Sequence, residues 1–123
     1  PTPDVETEVI AAYIDAVTRG SVEDLAKIFA EDAVLWSDGG GFARAARHPL
    51  HGAVRVAKHL VGVAPQTPEG TEVHIVRVNG EASIMGVLDG QAIGIVTFEI
   101  RDGLVTAVRA SLNPHKLAHL VWE

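Results

Sequence analysis

Asp38 is the residue whose type and position best fit a general base. It follows Trp36 at the end of a short apolar run and precedes three consecutive glycines. A carboxylate beside an aromatic ring at the mouth of a pocket can have a raised pKa and accept a proton. Asp before Gly is also a common turn pair in which the side chain caps its own backbone. Turn preferences favour this structural role for Asp38.

Four further polar residues interrupt apolar patterns and could orient a ligand. Tyr13 lies in a helical pattern, whereas Arg77, Glu99 and Arg109 lie in alternating, strand-like patterns. Together with Trp36, Tyr13 and Arg109 are the candidates for the lining of a pocket. The charged residues can also face water or pair across a sheet, and we favour this interpretation for them. For Tyr13 we favour a place in the lining of the core.

Metal and cofactor chemistry is not predicted. His48 with His51 and His115 with His119 have spacings that could chelate a metal, but neither pair carries a His-Glu motif or an identifiable third ligand. The sequence contains no Cys, which excludes disulfides, thiol nucleophiles and thiolate ligands. The glycine run also lacks the Gly-Lys-Ser/Thr ending of a phosphate-binding loop, so no nucleotide site is expected.

Length and charge restrict the class of protein. The 123 residues fit one domain, spanning 1–123. A net charge of −6 argues against direct binding to a nucleic-acid backbone, so any such link requires a partner. No apolar run approaches the roughly 20 residues of a membrane span. The start carries acidic residues rather than a signal or transit peptide, and the expected location is the cytoplasm.

The elements that position these residues begin with helices. Pro3 is typical of a first helical position, and Gly20 is typical of a helix stop. Ser21 is predicted to cap a second helix that continues to Asp32. A short strand over 33–37 follows, and a third helix is predicted over roughly 53–63.

The second half of the sequence alternates between apolar and polar residues, which predicts four successive strands from Thr71 onward. Three dipeptides typical of tight hairpin turns separate them: Asn79-Gly80, Asp89-Gly90 and Asp102-Gly103. Gly86 and Gly94 lie inside strands, where glycine often marks a bend. The predicted fold is α+β, with a strongly curved antiparallel sheet wrapped around the N-terminal helices as a cone with an internal pocket. A short terminal helix is predicted over 114–122.

Two stretches carry a family resemblance. The runs from Phe29 to Gly41 and from Arg44 to Gly52 resemble SnoaL-like domains of the nuclear-transport-factor-two-like superfamily, which have a cystatin-like roll. The resemblance extends from about Val5 to Leu120. It is strongest to the C-terminal domain of bacterial extracytoplasmic-function sigma factors similar to the mycobacterial sigma factor J.

Two family motifs support this resemblance. The family's Asp-Gly-Gly-Gly-Lys motif is here Asp38-Gly39-Gly40-Gly41-Phe42, and its Asn-Pro-Asp-Lys-Leu motif is here Asn113-Pro114-His115-Lys116-Leu117. Phe42 replaces the motif lysine and His115 replaces the motif aspartate. Phe42 carries no charge, so this position lacks the salt bridge that a lysine could form with a sigma-factor core.

The resemblance implies a regulatory or sensory domain that modulates transcription initiation by RNA polymerase. Asp38 to Gly41, with Asn113, Pro114, Lys116 and Leu117, would contact the sigma-factor core, and the cone could hold a small apolar ligand. The sequence contains no sigma core, so it would be an excised domain or a free-standing relative. Dimerisation through the open sheet face is common in similar folds and is a further expectation.

An enzyme is the alternative. The superfamily also resembles ketosteroid isomerases, polyketide cyclases and limonene epoxide hydrolases. By that analogy Asp38 would be the general base, while Tyr13 or Arg109 would polarise a carbonyl group of an apolar substrate. Fold alone does not imply this chemistry.

Overall fold

Two helices lead into the sheet. The computed structural model describes residues 3–38 and 49–111. Helix α1 spans Pro3–Arg19 and ends at Gly20, whose φ of 69° lies in the left-handed region that glycine tolerates. Helix α2 spans Val22–Lys27, and the backbone N–H of Asp24 donates to the hydroxyl of Ser21 at 3.1 Å. The predicted extent of α1 and the predicted cap of α2 are confirmed.

The predicted end of α2 is wrong. The sequence predicts a helix that continues to Asp32, but strand β1 spans Phe29–Asp38. The N–H of Val105 donates to the carbonyl of Ile28 at 2.9 Å, and Phe29 pairs in register with Val105. Hydrogen bonds to a strand far along the sequence therefore replace the helical ones, and local sequence signals do not contain this information.

The third helix has the predicted bounds. Strand β2 covers Leu50–His51, α3 spans Ala53–Val63, and a short 3₁₀ helix covers Ala64–Gln66. Gly52 connects β2 to α3 with a φ of 103°, and its N–H donates to the carbonyl of Ala33 in β1 at 2.8 Å. This bond fixes the start of α3 against the sheet.

Four strands form the predicted meander: β3 (Glu72–Val78), β4 (Glu81–Leu88), β5 (Gln91–Arg101) and β6 (Leu104–Ser111). At each turn the first residue has a positive φ: 52° at Asn79, 52° at Asp89 and 53° at Asp102. A glycine with positive φ follows each of them. This is the backbone of a two-residue hairpin turn whose twist matches the strands, so the three predicted hairpins are confirmed.

The described strands form one mixed sheet in the order β2-β1-β6-β5-β4-β3. All neighbouring strands are antiparallel except β1 and β6, which are parallel. Gly86 pairs with Gly94, and the register between β4 and β5 shifts directly after Gly86. A glycine pair at a register shift lets the strands bend, as the sequence predicted.

The helices cover one face of the curved sheet. Ile10 and Tyr13 of α1, Leu25 of α2 and Leu60 of α3 are buried in one cluster with Phe98 of β5. Val76, Met85, Val87 and Ile95 form a smaller buried cluster outside this core. The predicted α+β architecture, with a curved sheet packed around the N-terminal helices, is confirmed.

Candidate ligand pocket

A cavity of about 480 Å³ lies between α1, the end of α3 and strands β3 and β4. This volume is within the range of small-molecule sites, roughly 300–1,000 Å³. Apolar and aromatic side chains make up much of its lining, among them Tyr13, Ile14, Val17, Val61, Val73 and Ile84. The cavity therefore suits an apolar ligand.

Tyr13 provides a polar group in this cavity. Its ring packs against Phe98, with the centroids 4.9 Å apart and the ring planes inclined by 67°. Among the described residues its hydroxyl has no hydrogen-bond partner. Burial raises the pKa of Tyr13, so the phenol stays protonated at neutral pH. A protonated phenol can donate a hydrogen bond to a ligand carbonyl or ether oxygen.

Arg19 lies at the rim, and it is the charged side chain among the cavity-lining residues of 3–38 and 49–111. Its Nε donates to Asp15 Oδ2 at 2.9 Å, and its Nη1 donates to Asp24 Oδ2 at 2.9 Å. The hydrogen bonds to Asp15 and Asp24 raise the pKa of Arg19. The hydrogen bond that Arg19 donates to Asp24 lowers the pKa of the Asp24 carboxyl group. The guanidinium is thus held between two carboxylates.

A second cavity, of about 320 Å³, lies between the N-terminal half of α1 and strands β3 and β4. Glu6 and Arg77 line it and form an ion pair with each other. The Glu6 side chain is only 16% exposed, and Arg77 also donates to the carbonyl of Gly80 at 2.8 Å. This ion pair links α1 to the turn that ends β3.

The structure does not bring the three predicted pocket residues together. Tyr13 lines the cavity, but Trp36 and Arg109 pair in register on β1 and β6, next to Leu35 and Val108. Leu35 and Val108 are fully buried under the helices. Because side chains alternate along a strand, Trp36 and Arg109 lie on the opposite face of the sheet. Alternation in the sequence does not reveal which set of residues faces the helices.

Of the three charged strand residues, Arg109 pairs across the sheet, as the favoured interpretation predicted, whereas Glu99 pairs along its own strand and Arg77 pairs with Glu6 of α1. Arg109 Nη1 lies 3.3 Å from Glu81 Oε2, and Arg101 Nη2 lies 3.0 Å from Glu99 Oε1. Trp36 is 45% exposed. Arg109 is therefore held by Glu81 on the face away from Tyr13.

Asp38 is the last residue of β1, and it pairs in register with Ser111, the last residue of β6. Because the two strands are parallel, the chain leaves both at the same end of the sheet. Gly39 to Gly41 and the motif residues Asn113, Pro114, Lys116 and Leu117 lie outside the described residues. His48, His115, His119 and the predicted terminal helix lie outside them as well.

The described ranges contain neither a candidate metal centre nor a membrane-spanning helix. In 3–38 and 49–111 there is no group of three or more His, Asp or Glu residues that could hold a metal ion. No helix in the same ranges has the length and apolarity needed to cross a membrane.

Sequence reasoning missed the residues that set the charge of the rim. Asp15 and Arg19 have the i, i+4 spacing of a helical ion pair, which is a readable signal. Asp24 joins them only because the chain turns sharply at Gly20, so this partner could not be assigned from spacing. The contact between Glu6 and Arg77 is also nonlocal.

No protein-family model matches the sequence. No curated protein matches it either. Among solved structures, the extracytoplasmic function sigma factor SigJ of Mycobacterium tuberculosis is similar over 94% of this chain, at 24% identity and a TM-score of 0.70. This chain corresponds to 44% of that sigma factor's length.

Two other solved structures cover most of both chains. A steroid delta-isomerase of Pseudomonas aeruginosa is 18% identical over 94% of this chain and 85% of its own, with a TM-score of 0.66. An NTF2-like protein of Mesorhizobium loti, of unknown function, is 16% identical over 92% of this chain and 96% of its own, with a TM-score of 0.65. At these identities the likeness establishes the fold.

Proposed function

We propose that this chain, which has the nuclear-transport-factor-two-like fold, is a regulatory domain of a bacterial extracytoplasmic-function sigma factor. It binds a small apolar molecule in the cavity beside Tyr13. Its contacts with the sigma-factor core adjust transcription initiation. The similarity to SigJ, of whose length this chain matches less than half, supports a place within a longer sigma factor.

The observation that carries the proposal is the register of β1 and β6. Asp38 opens the glycine segment, and Asn113 follows two residues after Ser111. Asp38 and Ser111 are paired at the ends of parallel strands. The last described residues before the two segments that the resemblance assigns to the sigma core are therefore neighbours in the sheet. This supports the proposal that one partner surface contacts both segments.

The chemistry of the cavity supports ligand binding over proton-transfer catalysis. General acid–base catalysis needs a positioned acid or base within hydrogen-bond reach of the reacting atoms. In the described part of the chain, the ionisable side chains that line the cavity are Tyr13 and Arg19. Tyr13 stays protonated, and Arg19 is held by two carboxylates. Neither is a base at neutral pH.

The proposal is tested by measuring transcription that the parent sigma factor directs. The upstream reading frame first shows whether promoter-recognition helices precede this domain. In the full-length protein, Gly40→Trp adds a bulky ring to the glycine segment, whereas Leu104→Trp adds the same ring at the opposite end of β6. Leu104 is exposed, which makes it a matched control.

We expect Gly40→Trp to change promoter-specific transcript yield several-fold, and Leu104→Trp to leave it near the wild-type level. Equal yields from both variants and the wild type would remove the glycine segment as a contact. A start codon directly before Pro1, with no sigma core bound in solution, would contradict the regulatory role altogether.

The buried phenol of Tyr13 favours one second candidate, an enzyme acting on an apolar carbonyl compound. Tyr13 would donate to the carbonyl oxygen and so acidify the adjacent C–H. The test is exchange of that proton for deuterium, followed by NMR on a cyclic ketone. Tyr13→Phe should slow the exchange while circular dichroism stays unchanged. Exchange at the wild-type rate in this variant would exclude Tyr13 from the role.

A further inference from the structure

The cavity rim carries a cation whose charge is already balanced. Arg19 Nη2 lies 2.7 Å from Asp15 Oδ2, and its Nη1 lies 2.9 Å from Asp24 Oδ2. The side chain of Arg19 lines the cavity, so a ligand meets an arginine that is already engaged by two carboxylates. An arginine in this state is a poor receptor for a ligand anion, because the anion must compete with both aspartates.

Among the described residues, the ion pairs around Arg19 contain more negative than positive charge. Lys27 Nζ lies 3.9 Å from Asp24 Oδ1 and 3.9 Å from Glu23 Oε1. Asp15, Glu23 and Asp24 therefore face Arg19 and Lys27, which leaves an excess of one negative charge in this group. An anionic ligand at the rim would be repelled by that excess.

The fold determines this arrangement. Asp15 lies one helical turn before Arg19 in α1, and Gly20 turns the chain so that Asp24 falls in the first turn of α2. The hydrogen bond from the Asp24 N–H to the Ser21 hydroxyl holds this turn in place. Both carboxylates thus come from the corner between two helices, next to the cavity.

We infer that Asp15 and Asp24 determine the charge specificity of the cavity: by holding the Arg19 guanidinium, they make it select neutral apolar ligands with a hydrogen-bond acceptor over anionic ones. This inference rests on the proposed ligand-binding function. The acceptor of the ligand takes the hydrogen bond that the Tyr13 hydroxyl can donate. All three rim side chains are substantially exposed, so the discrimination is moderate, about fivefold in Kd.

Two fluorescent probes with the same ring system test the inference. Phenylnaphthylamine is neutral, and anilinonaphthalene sulfonate adds one negative charge. The wild-type protein should bind the neutral probe about fivefold more tightly than the sulfonate. In Asp15→Asn/Asp24→Asn, Arg19 is released, and the ratio of the two Kd values should shift toward the sulfonate by about tenfold.

Adding Arg19→Gln to the double variant is the matched control. If the released guanidinium binds the sulfonate, the triple variant loses the shift, although it also lacks both aspartates. Val17→Trp, which fills the cavity from α1, should weaken both probes to a similar degree. Circular dichroism and thermal unfolding confirm that each variant is folded.

The outcomes separate the two proposals. A wild-type protein that prefers the sulfonate, or a ratio that Asp15→Asn/Asp24→Asn leaves unchanged, overturns the charge specificity while ligand binding stands. If Val17→Trp does not weaken probe binding, the probes bind outside the cavity. This result also overturns the charge specificity. If the wild type binds neither probe, the proposed ligand-binding function fails, and the specificity fails with it.

Discussion

The ring of Phe98 meets the ring of Tyr13 edge to face, and this contact joins strand β5 to helix α1 in the core. Phe98 is only 1% exposed, and Tyr13 is 8% exposed. An aromatic pair of this geometry stabilises the folded state by more than the apolar area that it buries. The pair therefore anchors the helix that forms one wall of the ligand cavity.

Phe98→Ala should lower the free energy of unfolding by about 3–5 kcal/mol, because it removes a buried ring and leaves a cavity. Phe98→Leu keeps most of the apolar volume and should cost about 1–2 kcal/mol. Urea unfolding followed by circular dichroism measures both changes. Equal losses for the two variants would contradict the cavity contribution, because both variants lose the ring contact and only Phe98→Leu keeps the apolar volume.

Tyr13 should ionise only when the protein unfolds. Burial raises the pKa of Tyr13 above its value in the unfolded chain, about 10. The stabilisation that follows is fully present below that value and is lost as the pH rises above about 10. Tyr13 is the single tyrosine of the sequence, so tyrosinate absorbance reports this residue alone.

We expect the tyrosinate signal to appear together with the loss of circular dichroism in an alkaline titration. Ionisation of a fully folded protein near pH 10 would contradict the burial of the phenol. Tyr13→Phe serves as the control, since it should remove the absorbance change and make the stability less dependent on pH above about 10.

Ser21→Ala should lower the free energy of unfolding by about 1 kcal/mol, because the Asp24 N–H loses the hydroxyl that accepts its hydrogen bond. Ser21→Thr retains an accepting hydroxyl and should cost less. Thermal unfolding of the three proteins measures the difference. A Ser21→Ala protein as stable as the wild type would show that water replaces the cap without loss.

Asp102→Val should destabilise the turn between β5 and β6 by roughly 1–2 kcal/mol, because the φ of Asp102 is 53° and a β-branched residue tolerates this region poorly. Asp102→Gly removes the carboxylate without this strain, so it should be close to neutral. Urea midpoints compare the two variants. If both lose the same stability, the carboxylate matters at this turn and the backbone conformation does not.

Local signals in the sequence were sufficient for much of the fold. Helix α1, helix α3 and the three hairpins follow from caps, glycines and turn dipeptides such as Asp89-Gly90, which act within a few residues. The early end of α2 and the parallel pairing of β1 with β6 depend on Val105, far along the chain. No local sequence pattern predicts that pairing.

The candidate site was predictable only in part. Tyr13 could be assigned to the lining because its helix is amphipathic, and the structure places it there. The sequence also predicts Trp36 and Arg109 in this pocket. The alternation of side chains along β1 and β6 instead puts both on the face of the sheet away from the helices. The partners of Arg19 come from two helices, and only the turn at Gly20 brings Asp24 close to it.

The parallel pairing of β1 with β6 also governs the order in which the nascent chain can complete its sheet. Strand β1 is synthesised before α3 and the hairpins, yet its partner β6 is the last of the described strands to leave the ribosome. Closure of such a long loop slows folding, and until then one edge of β1 offers unpaired backbone groups to other chains. A chain that stops before Leu104 contains the sequences of α1, α2 and α3 but lacks β6, the partner of β1. We expect it to aggregate during synthesis.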